Sequence, residues 1–169
     1  MTKVKKGFTL IEVILVLAIA AMIFLMVLLT LPAVQRAQRD MARKEDVGKM
    51  VAAFTEFVGN NRGTQPKNAV ECQGGGGSST DTCELDPYVR LADGGTYSIV
   101  GPVASAMTPG TTAPANAAPT NDNITIYRRA NCGTNGDVVP GTSSRQIAVV
   151  VELEGAGADG QAIYYCQES

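Results

Sequence analysis

Apolar and polar positions divide this chain into two parts with different patterns. Between Phe8 and Leu31 the apolar run is broken by only two threonines and one glutamate, Glu12. As an α-helix with a rise of ~1.5 Å per residue, a run of this length crosses the ~30 Å hydrocarbon core of a bilayer. Residues 8–31 are therefore predicted to form a membrane-spanning helix.

A helical period continues beyond Pro32. Apolar side chains recur there at spacings of three and four, in a first stripe of Val34, Ala37 and Met41 and a second stripe of Val47, Val51, Phe54 and Val58. We predict an amphipathic continuation over residues 32–59, with a domain carried on one face and Gly59 opening the stop signal. Pro32 is expected to kink or loosen the helix, either as a stretchable segment or where the helix leaves the membrane. Gly48 is a candidate weak point.

Residues 60–169 are predicted to form a small β-rich head. Runs rich in Tyr, Ile and Val predict four strands, the last two as a hairpin, at residues 96–100, 124–129, 146–153 and 161–166. Four short strands with no Trp and little Phe cannot close a core alone, so we expect them to pack on the second stripe. The predicted fold class is α+β, with a long N-terminal helix packed on a small antiparallel four-stranded sheet. Flexible loops are expected at residues 73–82 and 102–123.

Composition and charge argue against several kinds of function. The chain has no His, and its four Cys contain no C-x-x-C pair, so neither the commonest general base nor a zinc site is expected. From Met50 onward there are six basic and twelve acidic side chains, a net charge of −6, and a broad nucleic-acid footprint is not expected. Arg128 and Arg129 form a small basic pair that we interpret as a solvated strand end. We expect no enzyme, no metal and no cofactor.

Two short motifs match functional signatures but are better explained structurally. Residues 155–160 fit the pattern G-x-G-x-x-G, yet only nine residues follow and they predict a strand, which makes the glycines a hairpin loop. Asn123-Ile124-Thr125 fits the N-glycosylation pattern, and we favour an unmodified loop there.

The four cysteines all lie in the C-terminal part, which indicates disulfides in an oxidising exterior. Three pairings are possible. We favour Cys72 with Cys83, which flank a flexible glycine-rich tract, and Cys132 with Cys166, which would pin the end of the last strand. Both crossed arrangements remain open.

Glu12 is an ionisable side chain within an apolar run. A carboxylate in a bilayer costs at least ~2.5 kcal/mol on insertion scales, so Glu12 should be neutral, reach water at the headgroup edge or pair with a cation. The residues Lys5-Lys6-Gly7-Phe8-Thr9-Leu10-Ile11-Glu12, followed by the long apolar helix, resemble the type IV prepilin signature.

That resemblance implies a leader at residues 1–7, cut by a prepilin peptidase after Gly7, and N-methylation of the new first residue, Phe8. It also implies that Glu12 pairs with the α-amino group of Phe8 on a neighbouring subunit. The protein would be a single-pass membrane protein that assembles into a helical filament outside the cell, with a pilin-like fold. Its partners would be the peptidase, an assembly platform, an ATPase and the membrane, and it would serve adhesion, twitching motility or DNA uptake.

Two other interpretations remain open. One is a pseudopilin of a type II secretion-like system, which forms a short envelope piston. The other is an unprocessed, signal-anchored ectodomain that acts as an adhesin or binding module. A cleaved secretory signal is disfavoured, because its apolar run is usually only ~7–15 residues and ends at a small-residue cleavage site.

Overall fold

The computed structural model describes residues 7–73, 83–91, 95–107, 119–120, 122–156 and 161–169. Within these ranges the elements are α1 (Leu10–Asn60), β1 (Ala69–Gln73), β2 (Thr96–Val100), β3 (Asn123–Arg128), β4 (Ala130–Cys132), a 3-10 turn (Thr134–Gly136), β5 (Val138–Pro140), β6 (Ile147–Ala156) and β7 (Ala162–Glu168). The chain divides into two compact units, Met1–Gln38 and Arg39–Ser169. The predicted leader up to residue 6, most of the two predicted loops and residues 157–160 of the glycine motif lie outside the described residues.

The first unit is helical from Leu10 onward. Its apolar side chains are exposed, from 43% at Leu31 to 86% at Phe8. The helix assignment runs through Pro32 without interruption, although proline lacks the N–H that a helix interior requires. On the preceding turn, the Thr30 hydroxyl donates to the carbonyls of Met26 (3.2 Å) and Val27 (3.1 Å). The expected loosening at Pro32 therefore does not break the helix.

The second unit, which we call the head, contains a five-stranded sheet in the order β1-β2-β3-β6-β7 and a separate pair, β4-β5. The predicted four strands are present, and β6 and β7 form the predicted antiparallel hairpin. The count of four was too low because β1, with the sequence AVECQ, lacks the Tyr and Ile that marked the predicted strands. One pair, β2 with β3, is parallel. Parallel neighbours need a connection of a dozen or more residues, and the segment between these strands is long enough.

Both faces of the sheet are covered. Along β6, Ile147, Val149 and Val151 belong to the core shared with α1, whereas Ala148 and Val150 belong to a second core on the opposite face. The second core also contains the following buried side chains: Val103, Tyr127, Ala130 and Val138. A strand that is buried on both sides is expected to be apolar at successive positions rather than alternating, which is what the β6 sequence shows.

The helix packs on this sheet through its second stripe. Val47, Met50 and Phe54 are buried, and Val51 and Val58 are partly buried against the same core. The first stripe is not covered in the described chain, since Val34 is 54% and Met41 69% exposed. Gly48 is not a break in the helix. A Cβ there would lie 3.9 Å from Oε1 of Gln167, so Gly48 lies over β7.

The helix ends in a left-handed turn. Gly63 has φ +86° and donates its N–H to the carbonyl of Val58 at 2.8 Å, five residues back. That bond is the outer bond of a Schellman-type C-terminus, in which the residue before it takes a left-handed conformation. Here that residue is Arg62, with φ +55°. Glycine usually occupies this left-handed position, but here the glycine, Gly63, is one position later.

A buried hydrogen bond fixes the turn that follows Cys83. The hydroxyl of Tyr97 on β2 donates to Oδ1 of Asp86 at 2.5 Å. Burial, followed by this bond to an acceptor carboxylate, raises the pKa of Tyr97 above its usual range. Within the described chain, the other carboxylate oxygen of Asp86 has no hydrogen-bond partner. The bond between Tyr97 and Asp86 therefore links this turn to β2.

Candidate assembly site at the N-terminal helix

Gly7 and Phe8, the predicted cleavage position, precede the helix. The first helical residue is Leu10, and the carbonyl of Thr9 accepts the N–H groups of Glu12 (3.1 Å) and Val13 (3.4 Å). The Phe8 side chain is 86% exposed. A peptidase needs its substrate peptide in a non-helical and accessible conformation, and the Gly7–Phe8 bond has both properties.

Glu12 lies in the first turn of α1. A carboxylate at a helix N-terminus interacts favourably with the helix dipole, by ~0.3–1 kcal/mol. Burial of that carboxylate in hydrocarbon costs at least ~2.5 kcal/mol, so the dipole alone does not offset burial. In the described ranges no side chain forms an ion pair or hydrogen bond with Glu12. If this helix is buried in an apolar medium, the Glu12 carboxyl must be neutral, reach water at the edge or pair with a cation from outside the described chain.

The apolar half of α1 is uncovered. It is long and apolar enough to cross a membrane by length and composition, and none of its most apolar stretch is buried by the rest of the described chain. Large exposed apolar surfaces in proteins are generally interaction sites with membranes or other proteins. The surface around Glu12 therefore requires a lipid or protein environment.

The comparisons with known proteins concern this same segment. The family model described as the prokaryotic N-terminal methylation motif matches residues 2–28. No curated protein and no solved structure matches the chain. The motif is the type IV prepilin signature, and the match covers about a sixth of the chain.

The chain is therefore prepilin-like, as the resemblance indicated. It carries the motif of pilin-like and pseudopilin-like substrates of a prepilin peptidase. Together with the long apolar helix, this motif fits a membrane-anchored precursor.

Two disulfides cross-link the head. Cys72 pairs with Cys83 and Cys132 with Cys166, which is the arrangement favoured from the spacing. Cys72 and Cys83 are buried, whereas Cys132 and Cys166 are only partly buried at the margin of the second core. The second bridge joins β4 to the edge strand β7.

A charged cluster at the start of the head was not anticipated from the sequence. Glu154 on β6 accepts hydrogen bonds from Arg39 and Arg43 of α1, and its backbone N–H donates to Asp40 Oδ1 at 3.0 Å. The bonds from Arg39 and then Arg43 lower the pKa of Glu154 to about 2. The spacing of Arg39 and Arg43 by four residues places them on one helix face. Only the fold could identify their acidic partner.

Arg128 and Asn123 have structural roles. The Arg128 guanidinium donates to the carbonyl of Pro66 at 2.8 Å and to the Asn68 side chain. It therefore connects β3 to the segment before β1, and Arg128 is not a solvated strand end as interpreted from the sequence. Burial lowers the pKa of Arg128.

Asn123, the acceptor of the glycosylation pattern, is buried within β3, where its Oδ1 accepts hydrogen bonds from Thr96 and Ser98. A glycan there is incompatible with the folded sheet.

Proposed function

We propose that this protein is a structural subunit of an extracellular type IV pilus-like filament. The observation that carries the proposal is the uncovered apolar half of α1, which bears one unpaired acid, Glu12, five residues after Gly7. Membrane insertion accounts for the apolar surface but leaves the acid without a partner. A bundle of such helices accounts for both.

The assembly mechanism follows from the chemistry at the start of the helix. Cleavage after Gly7 removes Lys3, Lys5 and Lys6, which hold the precursor at the cytoplasmic face. It also creates a cationic α-amino group on Phe8. In a helix bundle, Glu12 of one copy accepts the charge of that amine on the next copy. A subunit out of register would bury an unpaired charge, so the pair fixes the axial position of each subunit.

The partners and location follow from the same proposal. A prepilin peptidase cuts and methylates the precursor, and a membrane platform with a cytoplasmic ATPase extracts it from the bilayer. The head is then displayed outside the cell, where its disulfides are stable. The matched motif is typical of structural subunits, and we assign no catalytic activity to the head.

An intact-mass measurement on protein purified from its native cells tests the processing step. We expect a chain that lacks residues 1–7 and carries one added methyl group on Phe8. A mature chain that retains its first seven residues would instead indicate a signal-anchored ectodomain.

Immunogold labelling separates a surface fibre from a secretion pseudopilin. Labelled filaments that extend beyond the envelope support the pilus subunit. Labelling confined to the envelope of cells that contain processed protein supports the pseudopilin.

A further inference from the structure

A cleft of about 560 Å³ lies in the head where α1 ends. Phe54 and Val58 of the helix line its apolar part, Arg62 lies just after the helix, and Arg145 comes from the turn before β6. Ser169 also lines the cleft. Clefts that bind ligands are usually ~300–1,000 Å³ and combine apolar walls with a few placed polar groups. This cleft has that composition and lies outside the N-terminal site.

Arg62 and Arg145 both line this cleft, and neither has an acidic partner among the described residues. Within the described chain, neither guanidinium forms an ion pair or donates a hydrogen bond. Four other basic side chains of the head do have acidic partners: Arg39 and Arg43 pair with Glu154, Lys49 with Asp46, and Lys67 with Glu84. Two uncompensated arginines from separate elements therefore meet at one cleft in an otherwise acidic head.

The backbone beneath both arginines is held by hydrogen bonds. Arg62 is fixed by the bond from Gly63 to Val58. The Arg145 N–H donates to the Ser143 hydroxyl at 3.2 Å. A site with a fixed backbone loses less conformational freedom when a ligand binds.

The conformation of Arg62 also needs an explanation. Its φ of +55° is unfavourable for any residue with a Cβ atom. Strained backbone tends to be retained at functional positions. A cationic side chain at the cleft is a reason for an arginine where glycine would be less strained.

We propose that this cleft binds an acidic polypeptide segment in which a carboxylate lies next to an apolar side chain. The guanidinium group matches a carboxylate with two parallel hydrogen bonds. Val58, which is only partly buried, provides apolar surface for the neighbouring side chain. The cleft volume exceeds what a simple inorganic anion fills, and the two arginines that line it carry the charge opposite to that of the ligand.

The test uses the full chain in detergent micelles and two fluorescently labelled pentapeptides. One peptide alternates leucine with glutamate, and the other has glutamine in place of each glutamate. Fluorescence anisotropy gives the Kd of each. We expect the glutamate peptide to bind at least about tenfold more tightly, and Arg62→Ala and Arg145→Ala each to weaken it by about tenfold or more.

Arg129→Ala is the matched control. Arg129 is also an exposed arginine in a left-handed conformation, with φ +53°, but it does not line the cleft. We expect this variant to bind as the unmodified chain does, within about twofold. Arg62→Gly removes the cation while relieving the backbone strain, so a loss of binding in that variant cannot be attributed to misfolding.

Three results would overturn the proposal. They are equal affinity for the two peptides, an equal loss in Arg129→Ala, and no binding of the glutamate peptide at millimolar concentration.

Discussion

Arg39 of α1 and Glu154 of β6 form an ion pair through two parallel hydrogen bonds, with Nε 2.6 Å from Oε1 and Nη2 2.7 Å from Oε2. Arg43 adds a third bond to the same carboxylate at 2.9 Å. Asp40 accepts the Glu154 N–H and also bonds Arg43. Isolated surface ion pairs contribute little to stability, but networks with two-bond arginine geometry contribute more. This cluster links the part of α1 where the head begins to the end of β6, the longest strand of the head.

The cluster predicts a specific pH dependence. The pKa of Glu154 lies at about 2 in the folded head, below its ordinary value of 4.5. A carboxyl group whose pKa is lower in the folded state stabilises the fold at pH values above its ordinary pKa. This stabilisation is lost as the pH falls toward about 2. We expect Glu154→Gln to lower Tm at pH 7, and the difference from the unmodified head to shrink between pH 4.5 and 2. Thermal unfolding followed by circular dichroism measures both.

Glu56→Gln is the control for that experiment. Glu56 is exposed on the same helix, and no ion pair within the described chain includes it. Its substitution should leave Tm nearly unchanged at every pH. A constant gap between Glu154→Gln and the unmodified protein from pH 7 to 2 would contradict the assignment.

Gly136 permits the 3-10 turn to lie against the edge strand β7. Its φ is +80°, and a Cβ there would lie 2.6 Å from the carbonyl oxygen of Tyr164. Because the backbone strain and the clash add, Gly136→Ala should lower the free energy of unfolding by about 2–4 kcal/mol. Chemical denaturation measures this loss.

Gly48→Ala provides the opposite case. Its Cβ would meet only Gln167 Oε1, at 3.9 Å, an ordinary contact distance. Alanine is favoured over glycine inside a helix, so this variant should gain about 0.5–1 kcal/mol. Equal destabilisation by the two substitutions would contradict the explanation given for Gly136.

The two disulfides should differ in exposure to reductant. Cys132 and Cys166 are partly buried, whereas Cys72 and Cys83 lie within the main core. Brief treatment with a mild reductant, followed by alkylation and mass spectrometry, should label Cys132 and Cys166 first. Labelling of Cys72 and Cys83 at the same rate would show that the main core opens before the bridge at β7.

Loop length predicts a further difference between the bridges. The Cys132–Cys166 bridge spans 34 residues and the Cys72–Cys83 bridge spans 11. By the loop-entropy model, the bridge that closes the longer loop stabilises the folded protein by about 1 kcal/mol more. To test this difference, both cysteines of each bridge are replaced with alanine and the free energy of unfolding is measured. The buried position of Cys72 adds a packing loss to its variant, so the reductant experiment is the cleaner comparison.

The helix and most strands of this fold could be predicted because local patterns determine them. The second stripe on α1 and the apolar run of β6 both report burial directly. The strand β1 was missed because its sequence, AVECQ, lacks the Tyr and Ile that marked the predicted strands. The parallel pairing of β2 and β3 was missed because pairing direction depends on the path of the intervening chain. Similarly, Arg39 has no visible acidic partner in the sequence, since Glu154 lies 115 positions away.

The N-terminal site is the opposite case, since its motif is recognisable in the sequence, whereas the proposed partner of Glu12 lies on another copy. Gly7, Phe8 and Glu12 lie within six residues of one another, and their motif is recognisable without a fold. The structure of one copy leaves Glu12 without a partner in the described ranges, and the partner that we propose belongs to another copy. The decisive test must therefore measure assembly.

Glu12→Gln tests the proposed pairing with little change in shape. Gln is similar in size to Glu but uncharged, so insertion into the membrane and cleavage after Gly7 should proceed. Assembly should fail, because removing one partner of a buried ion pair leaves the other uncompensated at a cost of about 3–5 kcal/mol. Intact mass reports the processing, and electron microscopy of sheared surface material reports filaments. Glu45→Gln is the control on the same helix, since Glu45 is 72% exposed and its ion pair with Lys49 is a surface one. Normal filaments built from processed Glu12→Gln chains would refute the pairing while leaving the peptidase step intact.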